Sequence, residues 1–157
     1  MKLDIATMLP CTVDQAVAQV MTTRLLQYVA HPLVSFTPVG AATLPDTWSA
    51  GTHWVSLTLL RFIPLGRQAI VISMPPAARG FALRDAGYSA LIPVWDHLIT
   101  IEPSASGVLY RDQVEVRAGV LTPIIWLFAQ IFYRSRQRRW RQLVARGFVY
   151  GARQPVP

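Results

Sequence analysis

Cysteine, lysine and acidic residues are all scarce in this sequence. Cys11 is the single cysteine in 157 residues, so no intrachain disulfide can form. A reducing cytoplasm fits that composition. Cys11 lies near the end of a predicted strand with no base beside it in sequence, and it reads as inert. Lys2 is the one lysine, and only eight residues are acidic. No apolar run is long enough for a membrane span. The longest, Val120 to Tyr133, is interrupted by Thr122, Pro123 and Gln130, whereas a bilayer needs about 20 apolar residues. Nothing after Lys2 resembles the apolar core of a signal peptide. Motifs of several enzyme classes are missing too. Gly87-Tyr88-Ser89-Ala90-Leu91 lacks the last glycine of a nucleophile elbow. There is no glycine-rich phosphate loop or dinucleotide fingerprint. His31, His53 and His97 fall on three different predicted elements without ligand spacing, so neither a metal nor another cofactor is expected.

What is present is apolar and arginine-rich. Hydrophobic residues make up 52% and charged residues 15%, more apolar than an average soluble domain. The surplus must enter a core, a lined pocket, an oligomer interface such as a homodimer, or a membrane. The length suits one domain, here residues 1–150, followed by a short tail at 151–157. Net charge is +7. Arg134, Arg136, Arg138, Arg139, Arg141 and Arg146 crowd one short segment. Such a cluster reads first as a solvated helix face. It could also meet phosphates or anionic lipid, through Arg134, Arg136, Arg138, Arg139 and Arg141 in transient contact with a membrane surface. Nucleic acid is disfavoured, because no recognised module surrounds the arginines.

The hydrophobic period changes along the chain. Residues 3–8 alternate as a first strand. Thr12 to Gln15 form a capping-box sequence that opens a short helix carrying Ala16, Val17 and Val20 inward. Thr22-Thr23 interrupts it, and a second short helix, about 23–30, ends before Pro32. Strands are then predicted at 33–39, 53–63, 67–74, 80–84, 92–102 and 107–117. Pro64-Leu65-Gly66 is the expected turn between the second and third of these, and Asp85-Ala86-Gly87 an expected loop. After Gly119 the period becomes helical over 120–146. The first half of that helix is apolar nearly all round, which predicts burial over 121–132. The second half is basic, which predicts that most arginine heads after 133 reach solvent.

Two predicted strands carry the chemistry. Trp95, His97, Ile99 and Ile101 share one face, and Val108, Tyr110, Asp112, Val114 and Val116 share another. A turn at 103–107 would bring His97 opposite or next to Asp112. An aspartate there fixes the tautomer of the imidazole and favours its charged form, and the pair could act as a general acid or base. A structural pair that fixes register is the simpler reading, and activity as an enzyme is left open, with the balance against it. Trp54, Trp95, Tyr110, Trp126, Phe128 and Phe132 could line an apolar ligand site, or be ordinary core.

Trp95-Asp96-His97, Tyr110-Arg111-Asp112, Ala118-Gly119-Val120-Leu121 and the run from Tyr133 to Trp140 together resemble bacterial members of the START-like, or SRPBCC, superfamily, over about residues 1–148. The resemblance implies an α+β helix-grip fold: a curved antiparallel sheet of about seven strands around a long C-terminal helix, with two short helices after the first strand. It also implies a deep cavity between sheet and helix. The expected function is binding of a hydrophobic or amphipathic small molecule, lipid-like or polyketide-like, by Trp54, Trp95, His97, Tyr110, Asp112, Phe128 and Phe132. The alternatives are a cyclase, aromatase or dehydratase using that pocket with His97 and Asp112 as catalytic candidates, or an interaction protein sharing the fold.

Overall fold

The computed structural model describes residues 1–40 and 43–151; the expected tail falls outside these apart from Gly151. The elements run β1 (Lys2–Leu9), α1 (Val13–Val20), α2 (Thr23–Ala30), β2 (Val34–Pro38), β3 (Gly51–Leu59), β4 (Ile63–Ser73), β5 (Phe81–Ser89), β6 (Val94–Ser104), β7 (Gly107–Arg117), a 3₁₀ turn (Gly119–Leu121) and α3 (Thr122–Ala145). The start of α1 is fixed as its sequence predicts. The Gln15 amide donates to Thr12 Oγ1, and the Thr12 amide donates to Gln15 Oε1. Thr22 repeats the device by accepting from the Leu25 amide at the start of α2.

The seven strands form one antiparallel sheet in the order β1-β7-β6-β5-β4-β3-β2. Helices α1 and α2 carry the chain from one sheet edge to the other, and α3 packs against β1, β7 and α2. This is the helix-grip layout. The β6–β7 ladder sets Trp95 against Val116, His97 against Val114, and Ile99 against Asp112. Its inward row is buried on both strands, while Asp96 and Arg111 on the outer face pair with Arg84 and Asp4. At the β6–β7 turn a Cβ on Gly107 would sit 2.1 Å from the Leu9 carbonyl oxygen, so only glycine lets β1 approach there.

Three expectations are corrected. The β3–β4 turn is at Leu60 and Arg61, both at positive φ, and Pro64 to Gly66 lie inside β4 next to a register shift. Neither residue is a turn former, so the sequence carries no signal for that turn. Asp85 to Gly87 belong to β5. The Asp85 carboxylate accepts the Val71 amide at 2.8 Å, so a side chain replaces a rung of the β4–β5 ladder. Gly87 fits beneath it because a Cβ there would crowd the Ala69 carbonyl, Asp85 and Gln68.

The third correction concerns α3. Ile124, Leu127 and Ile131 are 70%, 59% and 58% exposed, whereas Arg136, Gln137, Trp140, Leu143 and Val144 are buried. The sheet grips the second half of the helix more closely than the first. Within the first half only the stripe through Ala129 and Phe132 is buried, against Leu3, Val114 and Val116. No described helix is long and apolar enough to cross a membrane.

Candidate functional site

Between the concave sheet face and α3 lies a cavity of about 480 Å³, within the range of small-molecule sites. Ile70, Ile72, Leu83 and Ile99 supply its sheet wall, Leu25 and Leu26 the α2 side, and Ile125, Phe128 and Phe132 the α3 side. The alternation that buries one side of each strand therefore serves the cavity as well as the core. Leu91 and Ile124 line the cavity yet are exposed, so it opens between the β5–β6 connection and the start of α3.

A polar cluster lies inward of that opening, where Asp85 on β5 pairs in register with His97 on β6. Asp112 has no exposed surface. Its Oδ1 lies 2.8 Å from His97 Nε2 and accepts the Tyr110 hydroxyl at 3.0 Å, and its Oδ2 accepts the Gln137 amide at 2.9 Å. Burial alone would raise the Asp112 carboxyl, but the hydrogen bond and charge of His97, with Arg136 and Gln137, outweigh it and hold it below the usual carboxylate range. Burial pushes the His97 imidazole below its ordinary value, more than Asp112 pushes it up. An ionised carboxylate only accepts, so Nε2 carries the proton that His97 shares with Asp112. Gln137 also donates to the Ile5 carbonyl, tying α3 to β1 and to the buried aspartate at once.

His97, Tyr110, Tyr133, Asp85, Gln68 and Arg136 all reach the cavity wall. Burial pushes the Tyr110 and Tyr133 hydroxyls up, so both are neutral phenols. Tyr133 Oη accepts the Trp95 indole N–H at 3.2 Å, and its ring lies edge-on 4.8 Å from His97. Burial pushes the Asp85 carboxyl up to about 7 against the opposing pull of the Val71 amide and Arg136. The Arg136 guanidinium sits 5.0 Å from the centre of the Tyr133 ring and 5.6 Å from that of Phe132. Burial works against its charge, but the Tyr133 and Tyr110 oxygens and Asp112 more than offset that, so it stays cationic.

Of the seven expected ligand residues, Trp95, His97, Tyr110, Phe128 and Phe132 line the cavity. Asp112 stands behind His97 and Tyr110, sealed by them. Trp54 is misplaced by the expectation. It is 45% exposed on the outer sheet face, edge-on to Tyr88 at 5.8 Å, because Val55, Leu57 and Leu59 take the inward positions of β3 and Trp54 alternates with them. Trp126 donates to the Lys2 carbonyl at the start of β1 and does not line the cavity. The arginine cluster also divides. Arg134, Arg138 and Arg141 are exposed; Arg139 is half-buried over the Tyr28 ring; Arg136 is buried, so no surface contact can pass through it.

Sequence reasoning missed Arg136, Tyr133, Gln137, Asp85 and Gln68. A signal existed for three of them: Tyr133, Arg136, Gln137 and Trp140 follow the spacing of one helix face. Counting arginines as a charge run hid that face.

No protein-family model and no curated protein matches the sequence. Solved structures do match in shape. Protein NE0264 from Nitrosomonas europaea aligns with TM-score 0.67 at 12% identity, over 96% of this chain and 97% of its own. A START superfamily protein from Mycobacterium smegmatis aligns with TM-score 0.62 at 9% identity, over 92% and 97%. An AHSA1-like protein from Aeromonas hydrophila aligns with TM-score 0.60 at 8% identity, over 99% and 100%. At such identities the likeness is one of fold.

Proposed function

We propose that this chain, built on the helix-grip fold it shares with START-like proteins, binds a hydrophobic or amphipathic small molecule in its internal cavity. One observation carries the reading. A cavity of about 480 Å³ with a mainly apolar wall opens at one end and holds a group of buried polar side chains inside. Convergent polar groups within an apolar cleft fix a ligand's orientation. The ligand class that suits this wall is lipid-like or polyketide-like. A proton-transfer enzyme has one point in its favour, the His97 ring at the cavity wall. Against it, His97 Nε2 and both Asp112 oxygens are already engaged with protein groups.

Native mass spectrometry of the purified protein tests the reading by showing a co-purified small molecule. A neutral environment-sensitive fluorophore provides a second route. It should bind the wild type, and Ile72→Phe, which places a ring in the cavity, should weaken it about tenfold or more while the circular dichroism spectrum is kept. A bare protein that neither carries a molecule nor takes up the fluorophore would overturn the proposal.

A further inference from the structure

We infer that the ligand of this cavity carries a single carboxylate that pairs with the guanidinium of Arg136. The inference rests on the cavity reading above and adds the chemical class of the head group.

Arg136 is 9% exposed, and its Nε has no hydrogen-bond partner among the described residues. No described carboxylate lies within ion-pair distance of it, although Arg84, Arg111 and Arg117 on the surface each hold one. A buried guanidinium whose Nε is unpaired and whose near partner is the Tyr110 oxygen rather than a carboxylate is costly to keep. The acids nearby do not fill the role. Asp112 Oδ1 is occupied by His97 and Tyr110 and its Oδ2 by Gln137. Asp85 Oδ1 is occupied by the Val71 amide. Both carboxyls act on Arg136 only through space. The planar fork of arginine matches a carboxylate geometrically. Tyr133 offers a second donor, since its oxygen accepts from Trp95 and its own O–H meets no described acceptor.

The position suits a head group too. Ile124 lines the opening, and Arg136 follows it by twelve residues on the same helix, about 18 Å at 1.5 Å per residue. Apolar side chains, Ile125, Phe128 and Phe132, line the cavity between them. A ligand entering head first would lay its apolar body along that wall. A dianion such as a phosphate monoester fits less well, because Asp85 lines the same wall and a single buried guanidinium, Arg136, would have to offset both of its charges.

The experiment is displacement of the neutral fluorophore by dodecanoate, methyl dodecanoate, dodecanol and dodecylamine, at mildly alkaline pH and below micelle formation. Wild type should take dodecanoate about tenfold to a hundredfold more tightly than the ester or the alcohol, as charge-assisted hydrogen bonds to a buried group imply. Arg136→Met should remove that gap by weakening dodecanoate, and Arg136→Lys should keep part of it. Equal affinity for acid and ester in the wild type would overturn the inference without needing any variant, as would an undiminished gap in Arg136→Met. A wild type that binds all four alike retains the cavity reading and loses this one. A wild type that does not bind the fluorophore loses both.

Discussion

The two halves of α3 reverse what their compositions suggest. The first half is apolar and stands largely in solvent along Ile124, Leu127 and Ile131; the second is arginine-rich and supplies Tyr133, Arg136, Gln137 and Trp140 to the interior. The difference comes from where the sheet meets the helix. Gln137 joins β1 and β7, and Trp140 lies edge-on to Tyr110 on β7 at 6.3 Å. Near the start of the helix the cavity takes the place of such packing, and one helix face borders its opening. Apolar content therefore shows where a helix can be buried, and its sheet partner decides where it is.

Trp140→Ala gives the largest expected effect. Trp140 is 1% exposed and packs against Tyr110 and Phe148. Truncation leaves a large void in the gripped half and should cost about 3–5 kcal/mol in denaturant unfolding. Trp140→Phe should cost clearly less, because the indole N–H has no partner among the described residues and its loss offsets part of the lost packing. Equal losses for the two would mean that the second half is not held by packing around this ring.

Asp112→Asn comes next. Its amide oxygen can still accept from His97 and Tyr110, but its amide nitrogen then faces the Gln137 amide, donor against donor. One buried donor is left unmade, a loss of about 1–3 kcal/mol. Binding of a neutral cavity ligand should be nearly unchanged once the variant is folded, because Asp112 does not line the cavity. Loss of neutral-ligand binding without loss of stability would reverse that assignment.

The pH dependence follows from Asp85. Its carboxyl titrates at about 7 in the folded protein against 3.8 ordinarily. Between those values the native state keeps a proton that the unfolded chain has released, so raising the pH favours unfolding. The contribution of Asp85 is complete below the lower value and lost as pH rises through the upper one, with a slope of at most about 1.4 kcal/mol per pH unit. Asp85→Asn keeps an acceptor for the Val71 amide and should flatten this part of the unfolding profile. An unchanged slope in the variant would assign the dependence to other groups.

Much of the fold was legible because alternation and capping are local signals. The inward rows of β6 and β7, the Thr12 capping box and the change of period after Gly119 all appear where the sequence sets them. The contact of His97 with Asp112 followed from the turn at 103–107. The Leu60-Arg61 turn was not legible, since its positive φ values fall on residues that rarely adopt them. Asp85 was taken for a loop residue because nothing in the sequence shows a carboxylate capping a neighbouring strand. Trp54 was assigned to the site by residue type, although Val55 and Leu57 already marked its face as the outer one. Arg136 needed the tertiary placement of α3 before one arginine could be told from its neighbours.

The smallest expected effect closes the comparison of the helix halves. Leu127→Gln and Ile131→Gln change two of the most apolar positions of α3, and composition alone would make both severe. Each side chain is more than half exposed, and glutamine is nearly as good a helix former as leucine. Exposed substitutions without a buried partner normally fall within about 0.5 kcal/mol of neutral. Each variant should therefore unfold within about that margin of the wild type, and the double variant should be close to their sum. The polar side chains should also lessen uptake of apolar dyes at the surface without altering ligand affinity, since neither residue lines the cavity. A loss comparable to Trp140→Ala would show that the first half is covered in solution, by a second chain or another partner, and the contrast between the halves would then belong to the isolated chain alone.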